Sequence, residues 1–374
     1  MKFLEAVEQG LKGLNKGVYG GLPSFDKAIY NTQHGKIIGI AGEPKSGKTS
    51  LTLMRYIAYP DLIKENIKII YYSLEMSKNQ IIAKLISQFA CLHSEKEVKV
   101  DTSKKVMMIQ EAKILGMGEE RLNEEELEYV KLINSLYIEP LFGKEDDDGN
   151  IIEEGVIEFI EDYNESNPTG IFKHLKRVAE DNGVFSYRKI KVADGKEKEL
   201  TTGYKPNPGA KKIWIIIDHL GLMKKEAQTV KENIDLLINV YAKHFRNICG
   251  YTFILISQFN RTIKGIDRFK LSPDQLQPQP QDIKDSQALE ETADIILAIF
   301  NPNSHTHIDK HFGYELKDFK GTYRSIHCIL SRYTPVPVNK SLFFNYKTGL
   351  FRELKKPTDK EFKIQLDNIK KIIG

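Results

Sequence analysis

The segment Gly42-Glu43-Pro44-Lys45-Ser46-Gly47-Lys48-Thr49 spells G-x-x-x-x-G-K-[ST], the full pattern of a phosphate-binding loop, and Ser50 continues it. Glycines let the backbone curl so that several N–H groups face one anion, and a following helix adds its positive end. In such a loop Lys48 reaches the β- and γ-phosphates, and the Thr49 hydroxyl ligates Mg²⁺. The pattern predicts that Gly42 through Ser50 bind a nucleoside triphosphate with Mg²⁺.

Turnover needs two further groups: an acid that orients the metal and a group that positions water. Asp218 directly follows the apolar run Ile213–Ile217. That places it at the carboxyl end of a buried strand, where it would hold Mg²⁺ together with Thr49. Glu75, in Ser73-Leu74-Glu75-Met76, also follows an apolar run and is a candidate general base. Gln258, in Ile256-Ser257-Gln258, is a candidate sensor of the γ-phosphate. Each has a plainer alternative: a helix cap for Asp218, a first-turn helix acid for Glu75, an exposed loop amide for Gln258.

These residues need strands to carry them. Apolar runs at 36–41, 67–73, 212–217, 251–256 and 294–299 read as strands buried on both faces of a parallel sheet. Helical patterns lie between them, at 77–90 and 230–247, so the expected fold is a doubly wound α/β core with flanking helices. Residues 325–331 and 340–346 read as an antiparallel edge pair joined by a turn with Pro335 and Pro337. Residues 93–211 break the rhythm and read as a helical and irregular insertion. Residues 1–16 read as a short linker helix with Phe3, Leu4, Val7, Leu11 and Leu14 on one face. Such a stripe must pack on its own domain or on a neighbouring subunit. The expected plan is a linker helix (1–16), an ATPase domain (17–355) containing the 93–211 insertion, and a C-terminal tail (356–374).

The net charge of the 374 residues is only +4, so any nucleic-acid surface must come from clustering. Three dispersed cysteines argue against a disulfide framework or a thiolate zinc site and fit a reducing compartment. No apolar run approaches a bilayer span. The expected location is the cytoplasm, that of a host if the protein is viral.

The order of motifs resembles the RecA-like motor domain of DnaB-type replicative helicases. It runs from the phosphate loop through Ser-Leu-Glu-Met, Ile-Asp-His-Leu and Ser-Gln-Phe-Asn-Arg to Gln281-Asp282-Ile283-Lys284-Asp285-Ser286. Ala288-Leu289-Glu290, Thr292-Ala293-Asp294 and the lead-in Gly21-Leu22-Pro23-Ser24-Phe25-Asp26 extend it. Phage-type members are most similar, through Asn167-Pro168-Thr169-Gly170 and the Ile-Ile-Ile-Asp-His run. The resemblance implies a hexameric homo-oligomer with ATP between subunits, Glu75 as base and Gln258 as sensor. It also implies an arginine finger given in trans, matched here by Arg332, with Leu330 where the family usually has a basic residue. A primase or loader protein is the partner it suggests.

The polar stretch 260–287 carries Arg261, Lys264, Arg268, Lys270 and Lys284. Facing a channel, it would track the phosphates of single-stranded DNA; its plain alternative is a solvated loop. By resemblance, Lys284, Ser286 and Gln287 contact that DNA, with Gln287 in place of a family glycine. His305, His307 and His311 read as a polar loop rather than a metal site. The acidic run 145–149 fails the EF-hand register, with Lys144 and Gly155 at the terminal ligand positions. The functional expectation is an ATP-driven helicase motor. The alternative is a RecA-like DNA-binding ATPase (recombinase, loader or scaffold) without unwinding.

Overall fold

The computed structural model describes all residues except 1–2, 14, 147–150, 163–165, 192–196, 261–262, 264–275, 285–286 and 306–307. The apolar runs form strands because β-branched residues dominate them and both of their faces are covered. In chain order the strands of the chain are β1 (Ile37–Gly42), β2 (Ile67–Ser73), β3 (Gly143–Glu145), β4 (Ile151–Glu154), β5 (Ile157–Ile160), β6 (Gly183–Lys191), β7 (Glu197–Pro206) and β8 (Lys212–Asp218). They continue with β9 (Thr252–Gln258), β10 (Ile295–Phe300), β11 (Lys310–His311), β12 (Tyr314–Glu315), β13 (Tyr323–Ser331), β14 (Val338–Asn345) and β15 (Leu350–Glu353). Among the described residues, nine of them build one sheet in the order β15-β14-β13-β10-β1-β9-β8-β2-β5. From β10 to β5 every pairing is parallel; β13, β14 and β15 add on antiparallel.

Alternate residues of β1 feed two cores. Ile38 and Ile40 pack with Trp214, Leu51 and Phe89 on one face, while Ile37 and Ala41 pack with Ile215, Phe245 and Leu289 on the other. Helix α1 spans Phe3–Leu11, α2 Pro23–Ala28, α3 Lys48–Leu53 and α4 Lys78–Val100. A capping box fixes the start of α4: the Ser77 hydroxyl accepts from the Gln80 amide, and the Gln80 side chain accepts from the Ser77 amide. Helix α2 is tied to the helical turn after α3 by a fully buried ion pair, Arg55 Nη1 to Asp26 Oδ1 at 2.6 Å. The other Asp26 oxygen accepts from the Gly20 and Leu22 amides.

Several features differ from the sequence reading. Residues 93–211 are not only an insertion. Their segment Ile157–Ile160 is the edge strand β5 of the main sheet, parallel to β2. Their helix Pro168–Asn182 buries Ile171, Leu175 and Ala179 in the core, and Asn167 caps its start. β5 is four residues long, too short to stand out as a periodic run. The antiparallel pair is present, but β15 forms the outer edge beyond β14. Residues 362–373 fold into a helix that buries Ile369. His305 and His311 are buried rather than on a polar loop, packed on Phe300; His307 lies outside the described residues. The apolar stripe of α1 leaves Leu4, Val7 and Leu11 exposed. Among the described residues, no helix is long and apolar enough to cross a membrane.

Candidate nucleotide site

Parallel strands bring their carboxyl ends to one rim of the sheet, and four neighbouring strands build the site there. The phosphate loop leaves β1. Gln258 ends β9, in register with Gly42. Asp218 ends β8, in register with Ser73 of β2, and Glu75 lies two residues beyond. The Leu74 amide donates to the Asp218 carbonyl at 2.8 Å, which holds the Glu75 turn against β8.

The loop geometry explains its glycines. A Cβ on Gly42 would come within 2.8 Å of the Ile299 carbonyl oxygen and the Ser46 hydroxyl. Gly47 has φ +102°, and a Cβ there would meet the Phe351 ring at 2.8 Å. Lys48 begins α3 and is buried; its ammonium donates to the carbonyls of Gly42 at 3.1 Å and Glu43 at 2.8 Å. Burial pulls its pKa down to about 8, against the opposing pull of Asp218, Glu75 and Glu43. Glu43 is itself buried, with the Ser304 hydroxyl 2.8 Å from Oε2 and His305 Nε2 3.6 Å away.

Asp218 is the most buried acid of the group. Its Oδ2 accepts from the Thr49 hydroxyl at 2.8 Å and from the Tyr71 phenol at 3.2 Å. Burial raises its pKa to about 6, and the Thr49 bond opposes that rise. A hydroxyl and a carboxylate oxygen side by side are the hard donor set that suits Mg²⁺, so Thr49 and Asp218 fit the metal of a nucleotide complex. Tyr71 was not singled out from the sequence. It sits inside an apolar run, where only its bond to Asp218 reveals a role.

His219 is the second residue missed. Burial lowers its pKa, against the charge of Glu75. Nε2 of His219 lies 3.0 Å from the Gln258 amide nitrogen, which donates to it, and 3.9 Å from Glu75 Oε2. The imidazole thus stands between the candidate sensor and the candidate base. The Ile-Asp-His run contained it, but nothing in spacing says which way the ring turns. Glu75 keeps its side chain 55% exposed, open to solvent water.

Arg332 lies elsewhere. β13 runs against β10, so Arg332, just past its end, is beside Asp294 at the start of β10. Its guanidinium donates to the carbonyls of Ala293 at 3.1 Å and Glu291 at 3.0 Å. The whole of β1, about 17 Å at roughly 3.3 Å per residue, separates that end of the sheet from its own phosphate loop. Arg332 is half exposed. Leu330, two residues earlier, packs partly buried against the core.

Of the DNA candidates, Arg261, Lys264, Arg268 and Ser286 lie outside the described residues, as does Lys270. Lys284 and Gln287 are exposed. The Lys284 amide donates to the Gln258 carbonyl at 2.8 Å, and Phe259 bridges Ile283. Gln287 opens a short helix and bonds Glu291 one turn on.

Residues 17–129 match the family model of the DnaB-like helicase C-terminal domain. No curated protein matches the sequence. Among solved structures, one of an ATPase domain superposes with a TM-score of 0.61 at 17% identity, covering 94% of this chain and 97% of that one. A DnaB-like replicative helicase, solved in a study of its interactions with primase, gives the same TM-score and identity over 95% of this chain and 68% of its own. The family match covers residues 17–129, less than half of the chain, while the RecA-like fold is shared along nearly its whole length.

Proposed function

We propose that the chain is an ATP-driven helicase motor that translocates on single-stranded DNA and hydrolyses ATP where two subunits meet. The observation that carries this reading is the convergence of Lys48, Thr49, Asp218, Glu75 and Gln258 on one rim, with Arg332 at the other. In this reading Gly42 to Ser50 cradle the phosphates, and Thr49 and Asp218 hold Mg²⁺. The metal, when bound, neutralises charge on the phosphates. Lys48 leaves the loop carbonyls for phosphate oxygens. Glu75 takes a proton from water, and His219, accepting from the Gln258 amide, orients that sensor. Arg332 is too far from its own loop to serve it, so it serves a neighbour's, which makes the working unit an oligomer, by resemblance a hexamer.

The backbone bond between Lys284 and Gln258 links the site to the segment 260–287. A shift of Gln258 on loss of the γ-phosphate would move Lys284 and Gln287 with it, and these residues would carry the DNA backbone. The exposed stripe of α1 suits a role as linker onto the next subunit. A primase or loader partner is part of the proposal, since the solved DnaB-like helicase was studied with primase.

The test is ATPase activity with and without single-stranded DNA, fork unwinding, and assembly mass in ATP and Mg²⁺. A motor shows DNA-stimulated turnover, unwinding and a ring mass. Stimulated turnover without unwinding favours the recombinase or loader alternative.

A further inference from the structure

The phosphate loop has a support that its motif does not contain. Arg324 stands on β13, one residue from its start and far from the loop in sequence, yet its side chain is buried against it. Nε donates to the Ser46 carbonyl at 3.1 Å. Nη1 donates to the carbonyls of Gly321 and Tyr323, each at 2.7 Å, which fixes the plane of the guanidinium. The guanidinium carbon lies over the Phe344 ring, 5.4 Å from its centroid.

We propose that Arg324 is a positioning residue for the nucleotide site: by holding the Ser46 carbonyl it sets the orientation of the loop's next amide. The physical reason is peptide planarity. In a trans peptide the C=O of one residue and the N–H of the next point in opposite directions. With the Ser46 oxygen pinned toward β13, the Gly47 N–H is turned away from β13, toward the concave side of the loop where phosphate oxygens would lie. The loop needs such an anchor, because Lys45 at φ +61° and Gly47 at φ +102° flank Ser46 with left-handed backbone. Gly47 in particular can pass to other conformations at little cost. Arg324 also places a positive charge near the buried Glu43 carboxylate, an acid inside a loop built to accept anions. Lysine could donate one bond to Ser46 but could not keep the fork that locks the plane.

This inference rests on the reading of Gly42–Ser50 as a nucleotide site, and the measurements separate the two. Calorimetric titration of the full chain with ATP and Mg²⁺ tests the site itself; a wild type that binds no ATP ends that reading. Given wild-type binding, Arg324→Gln should weaken ATP affinity and raise KM by about tenfold, with kcat changed less than threefold. Arg324→Lys should recover part of the loss. Phe344→Leu, which keeps the arginine but removes the face beneath it, should shift KM in the same direction by a smaller factor and covers the case in which Arg324→Gln fails to fold. A merely structural arginine would lower Tm and leave KM alone. Unchanged ATP affinity and KM in folded Arg324→Gln, or, where that variant does not fold, in Phe344→Leu, would overturn the proposal, as would a loss confined to kcat.

Discussion

The two halves of the central sheet handle chemistry in opposite ways. From β5 to β10 all strands run in one direction, so Glu75, Asp218, Gln258 and the phosphate loop reach the same rim. The half made of β13, β14 and β15 runs back and forth. One of its strands, β13, therefore has an arginine at each end: Arg324 against the chain's own loop, Arg332 at the far rim. Parallel strands concentrate a site; an antiparallel strand reaches across the sheet and can serve two.

The largest expected effect tests that reach. Arg332→Ala should lower ATP turnover about 10³-fold, the scale of a lost arginine finger. Mixing it with Lys48→Ala chains should restore part of the activity, because such mixtures contain interfaces with an intact loop and an intact finger. If mixing rescues nothing, the two rims do not belong to adjoining sites. Next in size is the parallel half's own chemistry. Glu75→Gln should cost about 10²-fold or more in turnover while ATP and Mg²⁺ still bind; ordinary turnover would remove Glu75 as the base.

A smaller effect concerns how the antiparallel half is fastened. The backbone N–H of Phe25 and the hydroxyl of Ser24 donate to Glu353 of β15, and Asp26 beside them neutralises the buried Arg55. Asp26→Asn leaves that cation without its counter-charge and should cost about 3 kcal/mol in denaturant unfolding. A double replacement of Asp26 and Arg55 by leucine and methionine should cost less, and an equal cost would mean the charge is not the issue. The smallest effect lies at the opposite edge. On β5, a hydrogen bond from His174 and the charge of Lys68 hold the Glu158 carboxyl at about 2, below its ordinary 4.5. A depressed carboxyl stabilises the fold above pH 4.5 and loses that contribution as pH falls toward 2. Partial exposure limits the effect to about 1 kcal/mol. The difference in stability between Glu158→Gln and wild type should shrink over that window, and a constant difference would exclude the linkage.

The parallel half was the legible one. Its isoleucine-rich runs announce strands, and each candidate acid lies within two residues of the end of such a run, so placement needed only the rule that parallel strands share a carboxyl rim. The 251–256 run extended two residues further, enough to bring Gln258 into register with Gly42. What stayed hidden depends on contacts far apart in sequence. Tyr71 looks like one more apolar residue until its hydroxyl meets Asp218, and Arg324 like a strand-edge charge until it meets Ser46. β5 was lost inside a polar region because four residues carry no period, and the buried histidines because polar side chains mimic a loop when their ring partners lie on other strands. The trans role proposed for Arg332 came from resemblance alone. The fold adds that its own loop is a sheet's height away.

That separation has an arithmetic consequence. If each chain lends one arginine forward and receives one from behind, an open string of n chains contains n − 1 complete sites, and only a closed circle contains n. A lone chain contains none. Turnover per chain would then rise with assembly and step up once more on closure, so a rate measured against concentration doubles as a gauge of whether the circle is shut.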